Sequence, residues 1–263
     1  MNFKDYLKSL GISDNQHLII HSSYKKIKAE FNPVSPEEVI DELKNLVTKS
    51  GSIVFPTFTY CFKKSSCDYE IFDRANSKSK VGLISETFRL SRDVIRTSSP
   101  THSFALWGKI TEDINETNSP ESPLGKESVL EWLTNTLNSF VLMLGTNFSS
   151  LTYGHYLEVA AKVPWYDYSP WGYMNVLPIG VSIEGEQQLK EIPGCAKSFI
   201  NFEKYLLEKN LIRQHNFGQL SSYFISIGLL YQEGLNYFKE NYKELLCPAG
   251  TCPACDSRRR KFL

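Results

Sequence analysis

No uncharged apolar run in this chain approaches the roughly 20 residues that a membrane span requires. The first residues, Met1-Asn-Phe-Lys-Asp-Tyr-Leu-Lys8, mix acids and bases where a secretory signal would carry an apolar stretch. There is no net charge either, because 29 Lys and Arg balance 29 Asp and Glu. Without a global field, neither nucleic acid nor a membrane surface is favoured as a partner. The most basic run, Arg258-Arg-Arg-Lys261, is short and reads as a solvated end. Internal repeats, low-complexity segments and an obvious linker are also missing. A cytoplasmic, globular protein follows as the expectation.

What is present is 263 residues, 41% hydrophobic and 22% charged. That is ordinary for a globular chain and enough for a sizeable core. One domain is expected over residues 1–245, followed by a Cys-rich basic tail, 246–263. The six cysteines are expected to be reduced in the cytoplasm. Cys252-x-x-Cys255 with Cys247 has zinc-like spacing, but a structural site takes four ligands. No second Cys-x-x-Cys or His pair lies nearby in sequence. The expectation is a loose, reduced tail and no metal.

Periodicity supplies the elements. Residues 3–10 read as a short helix, and His17-Leu-Ile-Ile-His21 as a buried strand followed by a Ser22–Lys25 loop. Ser35-Pro-Glu-Glu38 is a helix start, with an N-cap Ser, Pro at the first position and acids in the first turn. Strands are expected at 52–55, 104–107 and 141–144, and a helix over 83–90. Polar loops are expected over 60–80 and 112–128. A hairpin is expected to pair 176–183 with a strand near 189–192, and helices to span 199–209 and 221–242. Strands alternating with helices predict an α/β layered sheet, mixed because of the later antiparallel segments.

Five segments carry chemistry. His155 and Glu158, in Leu151-Thr-Tyr-Gly-His-Tyr-Leu-Glu-Val159, fall on one face of a helix about a turn apart. The carboxylate can orient the imidazole and raise its proton affinity, giving a general base just past a strand end. Ser22 and Ser23 follow the first strand, where small hydroxyl residues let backbone amides approach a ligand. Pro56-Thr57-Phe58-Thr59-Tyr60 ends the next strand. Asp73, Ser77 and Gly82 lie in a polar loop entering a helix, which offers amide donors to an anion. Arg96-Thr-Ser-Ser-Pro-Thr101-His102-Ser103 gathers a cation, an imidazole and hydroxyls in eight residues. At this point Arg96 and His102 are equally open to binding a ligand or to fixing their own loop.

The ordered set resembles the aminoglycoside 3-N-acetyltransferase family, which is distinct from the GNAT superfamily. The matching stretches are His21-Ser-Ser, Gly51-Ser-Ile-Val-Phe-Pro-Thr57, Arg96 to Ser103, Pro123-Leu-Gly-Lys-Glu-Ser128, Leu142-Met-Leu-Gly145 and His155-Tyr-Leu-Glu158. A weaker match lies at Asn216-Phe-Gly-Gln-Leu220. The resemblance implies a three-layer α/β/α sandwich with a mixed sheet and acetyl transfer from acetyl-CoA, or another acyl-CoA, to a small-molecule amine. It implies no metal in the chemistry and leaves oligomeric state open. His155, Glu158 and Thr152 are then the catalytic candidates. The backbone near Ser22 and Ser23, or the Thr152 hydroxyl, would stabilise the oxyanion. Ser22, Ser23, Thr57, Ser77, Gly82, Arg96, Thr101, His102 and Ser103 would hold the acyl-CoA.

Tyr60, Asp73, Trp165 and Tyr166 are candidates for the acceptor side. The aromatic run at 164–173 offers either a stacking surface for a sugar or base or a packed core corner. Zero net charge is unlike a cleft built to attract a polycation, so the acceptor is expected to be an aminoglycoside or a nucleotide-linked amino-sugar. A hydrolase using the same pair on a thioester or amide is the alternative, and a partner-docking role for the tail is a third reading.

Overall fold

The structure, a computed structural model, describes residues 1–32 and 34–263. Among the described residues ten strands form: β1 His17–Ser22, β2 Ser52–Pro56, β3 Phe62–Lys64, β4 Ile95–Arg96, β5 Phe104–Gly108, β6 Ser139–Leu144, β7 Val176–Ser182, β8 Gly185–Gln188, β9 His215–Phe217 and β10 Leu220–Ser226. The helices are α1 Phe3–Ser9, α2 Tyr24–Glu30, α3 Pro36–Val47, α4 Leu83–Arg89, α5 Ile110–Asp113, α6 Val129–Asn135, α7 Tyr153–Ala160, α8 Ile200–Glu208, α9 Ile227–Glu240 and α10 Pro253–Phe262.

Seven strands make the main sheet, in the order β4-β5-β2-β1-β6-β10-β9. β1 runs parallel to β2 and β6, while β5 and β10 run antiparallel to their neighbours. The sheet is therefore mixed, as expected. The central strands read as continuous apolar runs because both faces are covered. On β1, Leu18 and Ile20 pack with α1, α3 and α4, while Ile19 faces α6, α7, α8 and α9. β6 splits the same way, with Leu142 and Leu144 on the first face and Val141 and Met143 on the second. Two cores on either side of one sheet give the expected three-layer α/β/α sandwich.

The Ser35 start is a full capping box: Ser35 Oγ accepts from Glu38 N–H at 3.1 Å, and Glu38 Oε2 accepts from Ser35 N–H at 2.6 Å. Several expectations need correcting. Ser22–Lys25 is not all loop, since Ser23 is the N-cap residue of α2. Residues 221–226 are strand, because they pair antiparallel with β6 on one side and with β9 on the other. The hairpin partner of β7 is β8, reached through the tight turn at Ile183-Glu184, and not the 189–192 segment. A short strand, β3, breaks the 60–80 loop and pairs with β7. β3, β7 and β8 make a small second sheet.

The tail differs most from expectation. Residues 253–262 form helix α10, with Cys255 and Arg258 buried. Pro253 at its first position fixes the entry. Arg258 is thus not part of a solvated end, whereas Arg260 and Lys261 are exposed.

Candidate active site

The carboxyl ends of β1 and β2 and the segment after β6 open onto one cleft of about 660 Å³. This is where open α/β sheets place their ligands. His21 and Ser22 come from β1, Pro56 from β2, and Thr146, Ser149, Ser150, Thr152 and His155 from the β6–α7 segment. Phe62 and Lys64 of β3 and Val176 of β7 wall one side, so the small sheet belongs to the site.

Local sequence explains how His155 is held. A Cβ on Gly154 would stand 2.4 Å from the Phe199 ring. Only Gly there lets Phe199 lie on α7, with its ring 5.1 Å from the His155 ring and nearly edge-on. His155 Nδ1 then meets Glu158 Oε2 at 2.7 Å, the contact that the i, i+3 spacing predicts. Glu158 is 3% exposed. Its other oxygen, Oε1, accepts from Trp165 Nε1 at 2.8 Å and from Arg258 Nη1 at 2.9 Å. Burial alone would raise the Glu158 pKa, but the Arg258 charge and the His155 hydrogen bond outweigh it and hold the group at about 2. The carboxylate is therefore anionic at any working pH.

Two other histidines reach the cleft. His102 is held down to about 3, chiefly by burial and then by the charge of His155. Its Nδ1 lies 3.0 Å from Thr101 Oγ1, and its ring packs edge-on against Phe58 and Tyr60. His21 is held down to about 4 by burial, and its Nε2 has no protein partner. Both rings are neutral near pH 7, so each can act as a hydrogen-bonding group without charge.

Of the other residues singled out from sequence, Ser22, Tyr60 and Thr152 line the cleft. Thr152 precedes α7 and spends no side-chain hydrogen bond on capping it. Ser23 does not line the cleft; its amide donates to Leu144 O at 2.8 Å, which removes that N–H as an oxyanion donor. Arg96 is buried and its guanidinium is consumed inside the protein. It donates to Ser103 Oγ at 3.0 Å, Ser77 O at 2.5 Å, Thr57 O at 2.7 Å and Arg74 O at 3.2 Å. Arg96, Thr57, Ser77 and Ser103 therefore form one internal web, and the loop-fixing reading of Arg96 is the one the geometry favours. Thr101 is buried beneath His102. Gly82 opens α4 at φ +136, a conformation suited to glycine, and is not among the lining residues. Asp73 closes its own turn, accepting from Ala75 N–H and Asn76 N–H at 2.9 and 3.1 Å.

The aromatic run divides. Trp165 is 1% exposed and serves Glu158 from within the core. Tyr166 is exposed, beside a smaller hollow behind His155. Trp171 and Met174 line the main cleft. Reading the sequence missed Arg258, Trp171 as a specific wall residue, and the Ile192-Pro193-Gly194 wall. For Trp171 the signal was the aromatic run itself. For Arg258 there was none, since nothing local distinguishes it from its three basic neighbours.

Comparison with known proteins agrees with this geometry. The aminoglycoside 3-N-acetyltransferase family matches residues 19–239. The aminoglycoside N(3')-acetyltransferase-like protein YokD of Bacillus subtilis, derived from the SPbeta prophage, is 27% identical, over 70% of this chain and 71% of its own. The aminoglycoside acetyltransferase AAC(3)-IVa, solved as the apoenzyme, superposes with a TM-score of 0.77 at 24% identity, covering 98% of this chain and 95% of that one. AAC-IIIb, solved with CoASH, superposes at 0.70 with 17% identity, covering 90% and 95%.

Proposed function

Because this chain belongs to the aminoglycoside 3-N-acetyltransferase family and is an acetyl-CoA-dependent N-acetyltransferase, we propose that His155 is its general base, oriented by Glu158. The observation that carries this reading is the 2.7 Å contact between Nδ1 of His155, which lines the cleft, and an anionic, buried Glu158 behind it. Glu158 accepts from Nδ1–H, which leaves Nε2 with the lone pair. That nitrogen takes a proton from the acceptor amine as the amine attacks the thioester carbonyl carbon. A C–N bond forms, the C–S bond breaks, and the proton passes on to the departing CoA thiolate. General-base assistance of this kind contributes about 10²–10⁴ in rate.

The Thr152 hydroxyl is the oxyanion donor we favour, since it lines the cleft and spends nothing on the helix. Ser22 and His102 are the members of the expected acyl-CoA set that reach the cleft. That AAC-IIIb, a protein of the same fold, was solved with CoASH supports an acyl-CoA as the donor. Transfer is direct. Cys61 is buried and outside the lining, and burial pushes its thiol up, away from the thiolate a nucleophile needs.

For the acceptor, the cleft itself favours an amino-sugar of low positive charge, including a nucleotide-linked one, over a strongly polycationic aminoglycoside. Among the described residues no carboxylate lines it, and Lys64 is the only lining residue with a fixed charge. A polycation profits from an acidic cleft. The test is a panel of aminoglycosides, simple amino-sugars and nucleotide-linked amino-sugars with acetyl-CoA, read by thiol release. Amine-dependent release from the low-charge acceptors is expected. Turnover of aminoglycosides far above every other acceptor would overturn the acceptor assignment. Release unaffected by any amine would make the pair a thioester hydrolase instead.

A further inference from the structure

We propose that Cys195, Cys247, Cys252 and Cys255 bind one zinc ion as four thiolates, and that this ion clamps helix α10 to the segment walling the cleft. All four sulfurs lie within 4.8 Å of one another. None of the four is in a disulfide. With a Zn–S distance of about 2.3 Å, the sulfurs of a regular tetrahedron stand about 3.8 Å apart. The Cys195 and Cys247 sulfurs are already 3.7 Å apart.

The ligand Cys195 stands 52 residues before Cys247, which is why three cysteines near the end of the sequence looked one short. Cys252 and Cys255 belong to a Cys-Pro-Ala-Cys turn at the start of α10, where Cys252 is the N-cap residue and Pro253 fixes the first position. Such a turn directs both sulfurs to one point. The second layer suits thiolates as well. Lys197 N–H donates to the Cys195 sulfur at 3.4 Å, and Ser198 O–H to the Cys247 sulfur at 3.3 Å. Outer donors of this kind orient ligands and stabilise their charge. Arg259, whose Nη2 donates to Cys247 O at 2.6 Å, brings one cation beside the four thiolates. Four soft sulfurs in tetrahedral array select zinc among common divalent ions. The four cysteines are buried or half-buried, and among the described residues no other His, Cys, Asp or Glu is grouped with them, which suits a structural ion.

Its position gives it a task. Arg258 lies three residues beyond Cys255, and Gly194 immediately precedes Cys195. A Cβ on Gly194 would meet the Arg258 guanidinium carbon at 2.3 Å. The ion therefore ties the two segments between which Arg258 passes on its way to Glu158. This second half rests on the role given to Glu158 above; the metal site does not.

The test begins with the unmodified protein purified under reducing conditions. Elemental analysis is expected to give about one zinc per chain, the stoichiometry of a closed four-thiolate site. After chelation under reductant, Co(II) is expected to restore a tetrahedral tetrathiolate visible spectrum. Cys195→Ser and Cys252→Ser should each lose the metal, whereas His155→Ala should keep it while losing transfer. Protein without zinc that also fails to take up Co(II) overturns the site, as does bound iron in place of zinc or a native mass showing these thiols joined as disulfides. For the clamp, removing zinc should displace the pH profile of kcat/KM in the same direction as Arg258→Lys. An unchanged profile in protein shown to be zinc-free would remove the clamp and leave the metal site standing.

Discussion

Two buried arginines serve this site and do opposite work. Arg96, under the β2–β5 side, gives its guanidinium to neutral oxygens, three of them backbone carbonyls and one the Ser103 hydroxyl. Burial, and then the charge of Arg89, lower its pKa to about 10, and it still stays charged. Arg258, under α7, gives one hydrogen bond to a carboxylate, and its Nε has no partner. The first arrangement saturates a cation with dipoles and fixes a loop. The second leaves hydrogen-bonding capacity unused and spends its charge on one anion. Hydrogen bonds that close on themselves make structure, while on the role proposed for His155 an unshared charge beside the pair would tune its chemistry.

The comparison can be broken in several ways. The largest effect is expected at the end of the Arg258 chain: His155→Ala should lower kcat by about 10²–10⁴ with a cooperative unfolding transition preserved. A loss below tenfold in steady-state assays would remove the general base. Next are the arginines themselves. Arg258→Ala leaves Glu158 buried without its cation, which costs about 3–5 kcal/mol, and Arg96→Ala orphans the carbonyls of Arg74 and Ser77, at about 1–3 kcal/mol each before relaxation, while Thr57 O and Ser103 Oγ keep each other. Both should unfold more easily in denaturant. Only Arg258→Lys, measured on folded protein, should move the pH profile of kcat/KM; a conservative Arg96→Lys that moves it equally would erase the distinction. Gly194→Ala should displace the Arg258 guanidinium and lower kcat about tenfold, or roughly 1.4 kcal/mol of barrier, with little change in far-UV circular dichroism.

The smallest effect concerns pH. His21 and His102 have folded pKa values of about 4 and 3, below their ordinary 6.5. The unfolded chain therefore binds more protons between those values. The stability they contribute is complete above pH 6.5 and is lost as pH falls toward 4 and then 3. From pH 6.5 to 5 the unfolding free energy should fall by on the order of 1 kcal/mol per group, lowering the thermal and denaturant midpoints with it. His21→Gln should flatten part of that slope; an unaltered slope in the folded variant would refute the assignment. Glu158 acts at lower pH, its share being present above 4.5 and lost toward about 2.

Much of the layered architecture could be read in advance, because β1, β2 and β6 are short apolar runs and α3 announces itself with Ser35-Pro-Glu-Glu38. The His155–Glu158 contact was legible for the same reason, since one helical turn fixes it. Failures came where partners lie far apart in sequence. Trp165 was open to a stacking surface or a packed core corner, and its distant partners put it in the core beneath Glu158. Arg96 was open to holding a ligand or fixing its own loop, and its acceptors include carbonyls of residues 57, 74 and 77, which no local pattern announces. Residues 221–226 carry enough apolar side chains for either period, and only pairing with β6 decides for strand.

Glu158 and Arg258 are 100 residues apart, so their meeting closes a long loop. Such contacts are costly in chain entropy until the intervening elements are in place. A partly folded species with the central sheet formed would hold a buried carboxylate awaiting its counter-ion, and would have an idle imidazole. Regained acetyl transfer after dilution from denaturant should therefore trail the recovery of sheet ellipticity, making turnover a reporter of the last tertiary event.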